Sequence, residues 1–313
     1  MSSLDSLSIF MLFSTYVRVR WTHLNDEKMK QTISPIIKAE ELLELCQTKQ
    51  VILIDASVGK DAQAKYADQH LKGSYFVDLN TQLADIKTDV SIGGRHPLPS
   101  PQQFSNTLSE LGISKDSHVV VFDDKNGANA AARFWWMLKA AGHLNVQVLD
   151  GGSQVAIKIG FPTSSTPEPI LGKTQYHIKE WLLPTVDLNT MDKASSDSHY
   201  LIIDVRDKER YDGVHEPIDL VAGHIPNAQN IPFTNNLDAD GFFLPVEELK
   251  EKYTKALEHF DTENVIVHCG SGVTACHTLL AMVQAGLEIP QLYVGSWSEW
   301  SRNDRTIATN KEV

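Results

Sequence analysis

The chain has 313 residues, enough for two domains of ordinary size, and with 42% hydrophobic and 22% charged residues it has the composition of a globular protein. Its formal net charge of −12 argues against a nucleic-acid or acidic-membrane partner, since both would repel such a surface on average. Three cysteines make no disulfide framework and suit a reducing compartment, so a cytoplasmic location is expected.

In chain order, residues 1–33 are read as an extension ahead of the fold, expected to be disordered, with Met29 as an alternative start. The run Ser8 to Phe13 is apolar, but Asp5 precedes it, no basic residue does, and no small-residue cleavage site follows, so it does not read as a signal peptide. No run of about 18 apolar residues could span a membrane. Residues 34–165 form a first domain: a helical pattern from Ile36 to Cys46, the strand Val51–Ile54 ending in Asp55, and an alanine- and charge-rich segment Asp61 to Gln69. His70-Leu71-Lys72-Gly73-Ser74 and the strand-like Tyr75–Val77 follow, then the glycine- and proline-rich loop Gly93 to Pro99. A helix from Gln102 to Leu111, a strand Val119–Phe122, a loop Asp123 to Asn129, a helix Ala130–Ala141 and a strand Val146–Leu149 complete it.

After a linker at 166–186 the same order returns over 187–313. Leu201–Ile203 ends in Asp204 as the first such strand ends in Asp55; Gly223 to Ala228 echoes His70 to Ser74; Val265–His268 echoes Val119–Phe122; Tyr293–Ser296 echoes Leu149–Gly152. A period of roughly 150 residues is too long for a solenoid and right for two homologous domains. Alternating strands and helices imply an α/β fold, each copy a largely parallel central sheet with helices on both faces.

The most informative stretch is Val265 to His277. A β-branched strand ends at Cys269, Gly270 and Gly272 follow within three residues, and a helical pattern runs from Thr274 to Ala285, stopped by Gly286. Successive backbone N–H groups in such a loop, with the positive end of the helix behind them, form an anion cradle. A cysteine at its mouth has its thiolate favoured and is a candidate nucleophile. A phosphatase loop would need an arginine six positions on, where Ala275 stands, and no cation lies in the loop. The spacing of Cys269 and Cys276 argues against zinc, and Cys276 and His277 read as core-facing helix residues. The first copy has Asp123 or Asp124 where the second has Cys269, so it cannot do thiolate chemistry.

The run Cys269-Gly-Ser-Gly-Val-Thr-Ala-Cys276 resembles the active-site loop of 3-mercaptopyruvate sulfurtransferases, members of the rhodanese superfamily, and the likeness covers roughly residues 34–303. Thiosulfate-preferring rhodaneses carry a basic loop instead, where this chain has Gly270 and Ser271. The resemblance implies a structural first domain, a catalytic second one and an active site at their interface. It implies that Cys269 takes sulfur from 3-mercaptopyruvate as a persulfide, held by the loop N–H groups of Gly270, Gly272, Val273 and Thr274, and hands it to a thiol or cyanide. Small thiols and thioredoxin-like proteins are the implied acceptors, and no metal or organic cofactor is implied. Arg210, followed by Tyr211, matches the substrate-binding arginine; Asp61, His70 and Ser271 match positions that orient substrate and relay protons; Arg206 reads as a structural partner of acidic neighbours. The family's second arginine after Glu-Pro is Ile218 here, which keeps thiosulfate sulfurtransfer open as an alternative. A non-catalytic persulfide carrier is the third reading. Trp135, Trp136, Trp297 and Trp300 are read as packing residues.

Overall fold

A computed structural model of the chain describes residues 33–169 and 171–310. The N-terminal extension, its apolar run Ser8 to Phe13 and Met29 lie outside the described residues, Ile33 of the extension excepted.

Each copy is built on a five-stranded sheet. In the first, the strands are β1 (Ile36–Ile37), β2 (Val51–Asp55), β4 (Ser74–Phe76), β5 (His118–Phe122) and β6 (Val146–Leu149), in the order β1-β6-β5-β2-β4. In the second, β8 (Thr185–Val186), β9 (Leu201–Asp204), β10 (Ala228–Asn230), β11 (Val265–His268) and β12 (Gln291–Tyr293) repeat the arrangement as β8-β12-β11-β9-β10. Every pairing in both sheets is parallel. Parallel strands covered on both faces must be apolar throughout, and β5 and β11 are buried along nearly their whole length. A short antiparallel pair, β3 (His70–Leu71) with β7 (Thr163–Ser164), lies outside the sheets.

The register makes the duplication a structural fact. Asp55 pairs with Phe122 and Asp204 with His268, so the residue following each central strand is equivalent: Asp123 in one copy, Cys269 in the other. The helical pattern expected from Ile36 begins later, with α1 at Ala39–Thr48. Ile36 and Ile37 are a strand instead, because pairing with Val148 and Leu149 buries two β-branched side chains at the sheet edge.

Helix α2 (Ala62–Asp68) follows β2, and two further helices position the site: α5 (Ala130–Ala140) and α10 (Ala275–Gln284). Helices α5 and α10 pack together, carrying the core from one copy into the other. The four tryptophans singled out by sequence are all buried, Trp135 and Trp136 on α5 and the other two on the terminal helix Ser296–Trp300. Among the described residues no helix is long and apolar enough to cross a membrane.

Candidate active site

Strand β9 is followed by a connection to β10 on one side of the sheet, whereas β11 leads to β12 on the other. The loops leaving β9 and β11 therefore diverge, and a crevice opens outside the strand ends. Cys269 is the first residue past β11 and is buried. Its N–H donates to Ser296 Oγ at 3.2 Å, and its carbonyl and that of Gly270 accept from Trp297 N at 3.0 Å and Ser298 N at 2.9 Å. The loop is thus tied to the terminal helix through the Cys269 N–H and two carbonyls. Among the described residues no protein group accepts from the N–H of residues 270–274. Gly272, at φ +73°, is obligatory, because a Cβ there would lie 2.5 Å from Val294 O.

The first copy shows what this loop geometry does with charge. Asp123 takes the cysteine's place, with Oδ1 accepting from the N–H of Lys125 at 2.8 Å and Gly127 at 2.9 Å, and Oδ2 from Asn129 at 3.0 Å and Ala131 at 3.2 Å. Burial pushes this carboxyl up to about 6, against the pull of the four donors. In the first copy the loop amides thus hold a carboxylate at the position that Cys269 takes in the second.

The loop Gly93 to Pro99 of the first domain closes the crevice. Gly93 N donates to Glu299 Oε1 at 2.7 Å and Arg95 N to Ser298 Oγ at 3.0 Å. His96 Nδ1 lies 2.8 Å from Ser271 Oγ. Burial, then the charges of Arg95 and Arg133, push His96 down to about 4, so it is neutral at pH 7 and can accept the serine's proton. Arg133, wholly buried on α5, donates from Nη1 to Gly272 O at 3.0 Å and from Nη2 to His96 O at 3.2 Å. One guanidinium therefore locks the cradle to the histidine loop and sets a cation beneath a loop that has none of its own. Burial lowers the pKa of Arg133, and the sulfurs of Cys276 and Cys269 oppose that shift. Cys276 and His277 lie in the core as expected; burial pushes the Cys276 thiol up to about 12, and Sγ donates to Gly272 O at 3.4 Å.

Of the residues singled out by sequence, Cys269, Gly270, Ser271, Gly272, Val273 and Thr274 form the loop, and Arg210 is brought to it. Arg210 Nε donates to Glu216 at 3.0 and 3.1 Å, and its Nη2 points past Gly270 towards Asp219. Arg206 is buried and structural: it forks onto Asp204, donates to Gly223 O at 2.7 Å and lies over the Trp297 ring. Ile218 is exposed.

His70 and Asp61 are not brought to this loop. Buried His70 contacts Tyr66 O through Nδ1 at 2.7 Å and Glu168 through Nε2 at 3.3 Å, and stacks on Tyr66. Its counterpart His224 stacks on Tyr211 with Nδ1 2.8 Å from Tyr211 O, the same brace in the second copy. Asp61 is an exposed residue at the start of α2 with no side-chain cap bond. The histidine on Ser271 is His96, which sequence reasoning missed together with Arg95 and Arg133. Two signals pointed to them: an Arg-His pair framed by Gly93-Gly94 and Pro97, and a lone arginine inside the apolar run Ala130 to Leu138.

A family model for the rhodanese-like domain matches residues 38–155 and 187–303. The chain is 40% identical over 243 residues to a protein of Pseudomonas aeruginosa named "Probable 3-mercaptopyruvate sulfurtransferase", covering 77% of this chain and 84% of that one. It is 35% identical over 248 residues to the thiosulfate sulfurtransferase of Cricetulus griseus, covering 77% and 80%. The 3-mercaptopyruvate sulfurtransferase structure from Leishmania major superposes with a TM-score of 0.75 at 26% identity, covering 87% of this chain and 75% of that one.

Proposed function

The chain belongs to the rhodanese-like family and carries the domain twice, and from that premise we propose that it is a sulfurtransferase that moves sulfur from 3-mercaptopyruvate through a Cys269 persulfide to a thiol or to cyanide. The observation that carries this reading is the Ser271–His96 hydrogen bond beside a cysteine in an uncharged loop of unpartnered amides.

The chemistry needs each part. The Cys269 thiolate attacks the donor's sulfur; an S–S bond forms, the C–S bond breaks, and its electron pair leaves on carbon as the enolate of pyruvate. That carbon must be protonated, and the donor's own thiol proton is the one available. Ser271, with neutral His96 behind it, relays this proton to the enolate. The loop amides of Gly270, Gly272, Val273 and Thr274 hold the negative charge as it moves onto the outer sulfur. Arg210 holds the donor's carboxylate. A thiolate, small or on a thioredoxin-like protein, then attacks the outer sulfur and returns Cys269 to its starting form. His70 braces the first domain's frame, Asp61 is exposed, and both stand outside this sequence. The cytoplasm, where thiols stay reduced, is the compartment this chemistry suits.

Thiosulfate is the second donor to consider, favoured by the guanidinium groups of Arg95 and Arg210 beside Gly270. The test is kcat/KM for both donors, each with a small thiol and with cyanide. Preference for mercaptopyruvate supports the proposal, and preference for thiosulfate overturns it. Cys269→Ser must abolish transfer with fold retained. A carrier that merely relays persulfide would stall after one equivalent without a partner.

A further inference from the structure

Where the chain lacks an arginine after Glu216-Pro217, its first domain brings one from the opposite side. The loop at Gly93-Gly94 is pressed so close to the second domain that a Cβ on Gly94 would fall 2.3 Å from Gly295 O. This fixes the backbone of Arg95 on Ser298, the same residue whose N–H holds Gly270 O. From there the Arg95 side chain, 25% exposed, reaches Asp219, with Nε 3.1 Å from Oδ1 and Nη2 3.4 Å from Oδ2. Arg210 meets the same Oδ2 at 3.4 Å from the other side. The tips of both arginines converge on the residue after the nucleophile: a Cβ on Gly270 would stand 3.0 Å from Arg95 Nη2 and 3.3 Å from Arg210 Nη2. Arg302 is the third arginine on Asp219, with Nη1 3.1 Å from Oδ1, but the same Nη1 also donates to Ser298 O. Three guanidiniums against the carboxylates of Asp219 and Glu216 leave one positive charge, since Arg206 is matched by Asp204.

We infer that Arg95 is the second cation of the donor clamp, so that the anionic end of the sulfur donor is gripped between Arg210 of one domain and Arg95 of the other, and that Asp219 is the carboxylate that aligns the pair. This inference rests on the proposed reading of Cys269 as the acceptor of sulfur from a small anionic donor. A surplus of one charge suits a single carboxylate, and two partly exposed forks beside the cysteine suit the carboxylate and adjacent keto oxygen of a 2-oxo acid. Gly270 is small because the clamp occupies the space a side chain would need.

The test separates the clamp from the reaction. Cys269 is alkylated with iodoacetate, an anion, and with iodoacetamide, its neutral counterpart, in wild type, Arg95→Gln, Arg95→Lys and the double variant Arg95→Gln with Ile218→Arg. Arg95→Gln should lower the iodoacetate-to-iodoacetamide rate ratio by about tenfold and raise KM for 3-mercaptopyruvate by about tenfold or more while kcat changes less than threefold, the pattern of lost uniform binding. Arg95→Lys should keep the ratio but recover KM only in part, because an ammonium cannot fork. Arginine restored at position 218 should recover both. An unchanged ratio and KM in Arg95→Gln, or an equal fall in both alkylation rates, overturns the inference, the latter marking a role in loop position alone. Should Arg95→Gln not fold, Arg95→Lys decides: an unchanged KM overturns it. Alkylation needs no sulfur donor, so a wild-type chain inert towards mercaptopyruvate would defeat the proposed function while the ratio still judged Arg95.

Discussion

Ser271→Ala tests the proton relay most directly, because the two candidate donors make different demands on it. With mercaptopyruvate the leaving group is a carbanion that needs a proton; with thiosulfate it is sulfite, a stable anion that needs none. Ser271 Oγ lies 2.8 Å from Nδ1 of a histidine held neutral by burial, so at pH 7 the ring can accept a hydrogen bond from the serine, the arrangement that the relay needs. A positioned acid–base group is worth about 10²- to 10⁴-fold, or about 3–5 kcal/mol of barrier. The expected result is a fall of that size in kcat/KM for mercaptopyruvate and of less than about tenfold for thiosulfate, measured with one acceptor. His96→Asn should give the same split. The serine's removal also leaves a part-buried ring nitrogen without its partner, at a cost of up to about 1–3 kcal/mol, so Tm should drop by no more than about 10 °C without loss of cooperativity. Equal losses with both donors would refute the relay and make the Ser271–His96 bond a purely structural tie.

Acid should unfold the protein well above the carboxylate range. His96 and His143 are pushed down to about 4 and His277 to about 3, each mainly by burial, so the folded state takes up fewer protons than the unfolded chain. Stability is therefore complete above pH ~6.5 and falls by about 1.4 kcal/mol per unit for each histidine as pH drops towards 4. Asp123, raised to about 6, offsets one such share; urea midpoints that match at pH 7.5 and 5 would contradict the balance. Asp123→Ala strands four N–H groups, of which those of Gly127 and Ala131 are buried, and should cost about 2–6 kcal/mol at about 1–3 kcal/mol for each buried donor, whereas Asp123→Asn keeps one acceptor oxygen and should cost about half as much. An Asn variant as stable as wild type in thermal melts would deny the cradle its anion preference. Arg206→Met leaves Asp204 buried without its fork and should cost about 3–5 kcal/mol in denaturant titration; a neutral outcome would mean His268 suffices as partner.

The fold was legible because its signals are local. Two buried strands ending in Asp55 and Asp204, and one giving way to Cys269 and two glycines, announce a repeated parallel sheet and a tight strand-to-helix loop from neighbouring residues alone. Arg210 and Ser271 were legible on the same terms, through the likeness of short motifs. His96, Arg95 and Arg133 were not, because their importance is created by a contact between domains more than 100 positions apart in sequence. The choice of His70 could have been questioned from the duplication itself. A histidine matched by His224 in the other copy serves what both copies need, a brace on a tyrosine carbonyl; the residue that does chemistry in one copy belongs among those without a counterpart.

The two loops at the ends of β5 and β11 differ in who supplies the negative charge. In the first copy it is encoded: the Asp123 carboxylate is present from synthesis, and four amides are saturated before any reaction begins. In the second copy, on the proposed mechanism, it is the Cys269 thiolate, whose charge moves outward onto the persulfide when sulfur is loaded. The first loop should therefore exchange its amide hydrogens slowly and at one rate throughout the cycle, while those of residues 270–274 should slow only when sulfur is loaded on Cys269. On that mechanism one half of the molecule is a permanent image of the loaded state that the other half occupies for part of each cycle, and comparing the two within one sample gives hydrogen exchange an internal reference for persulfide occupancy.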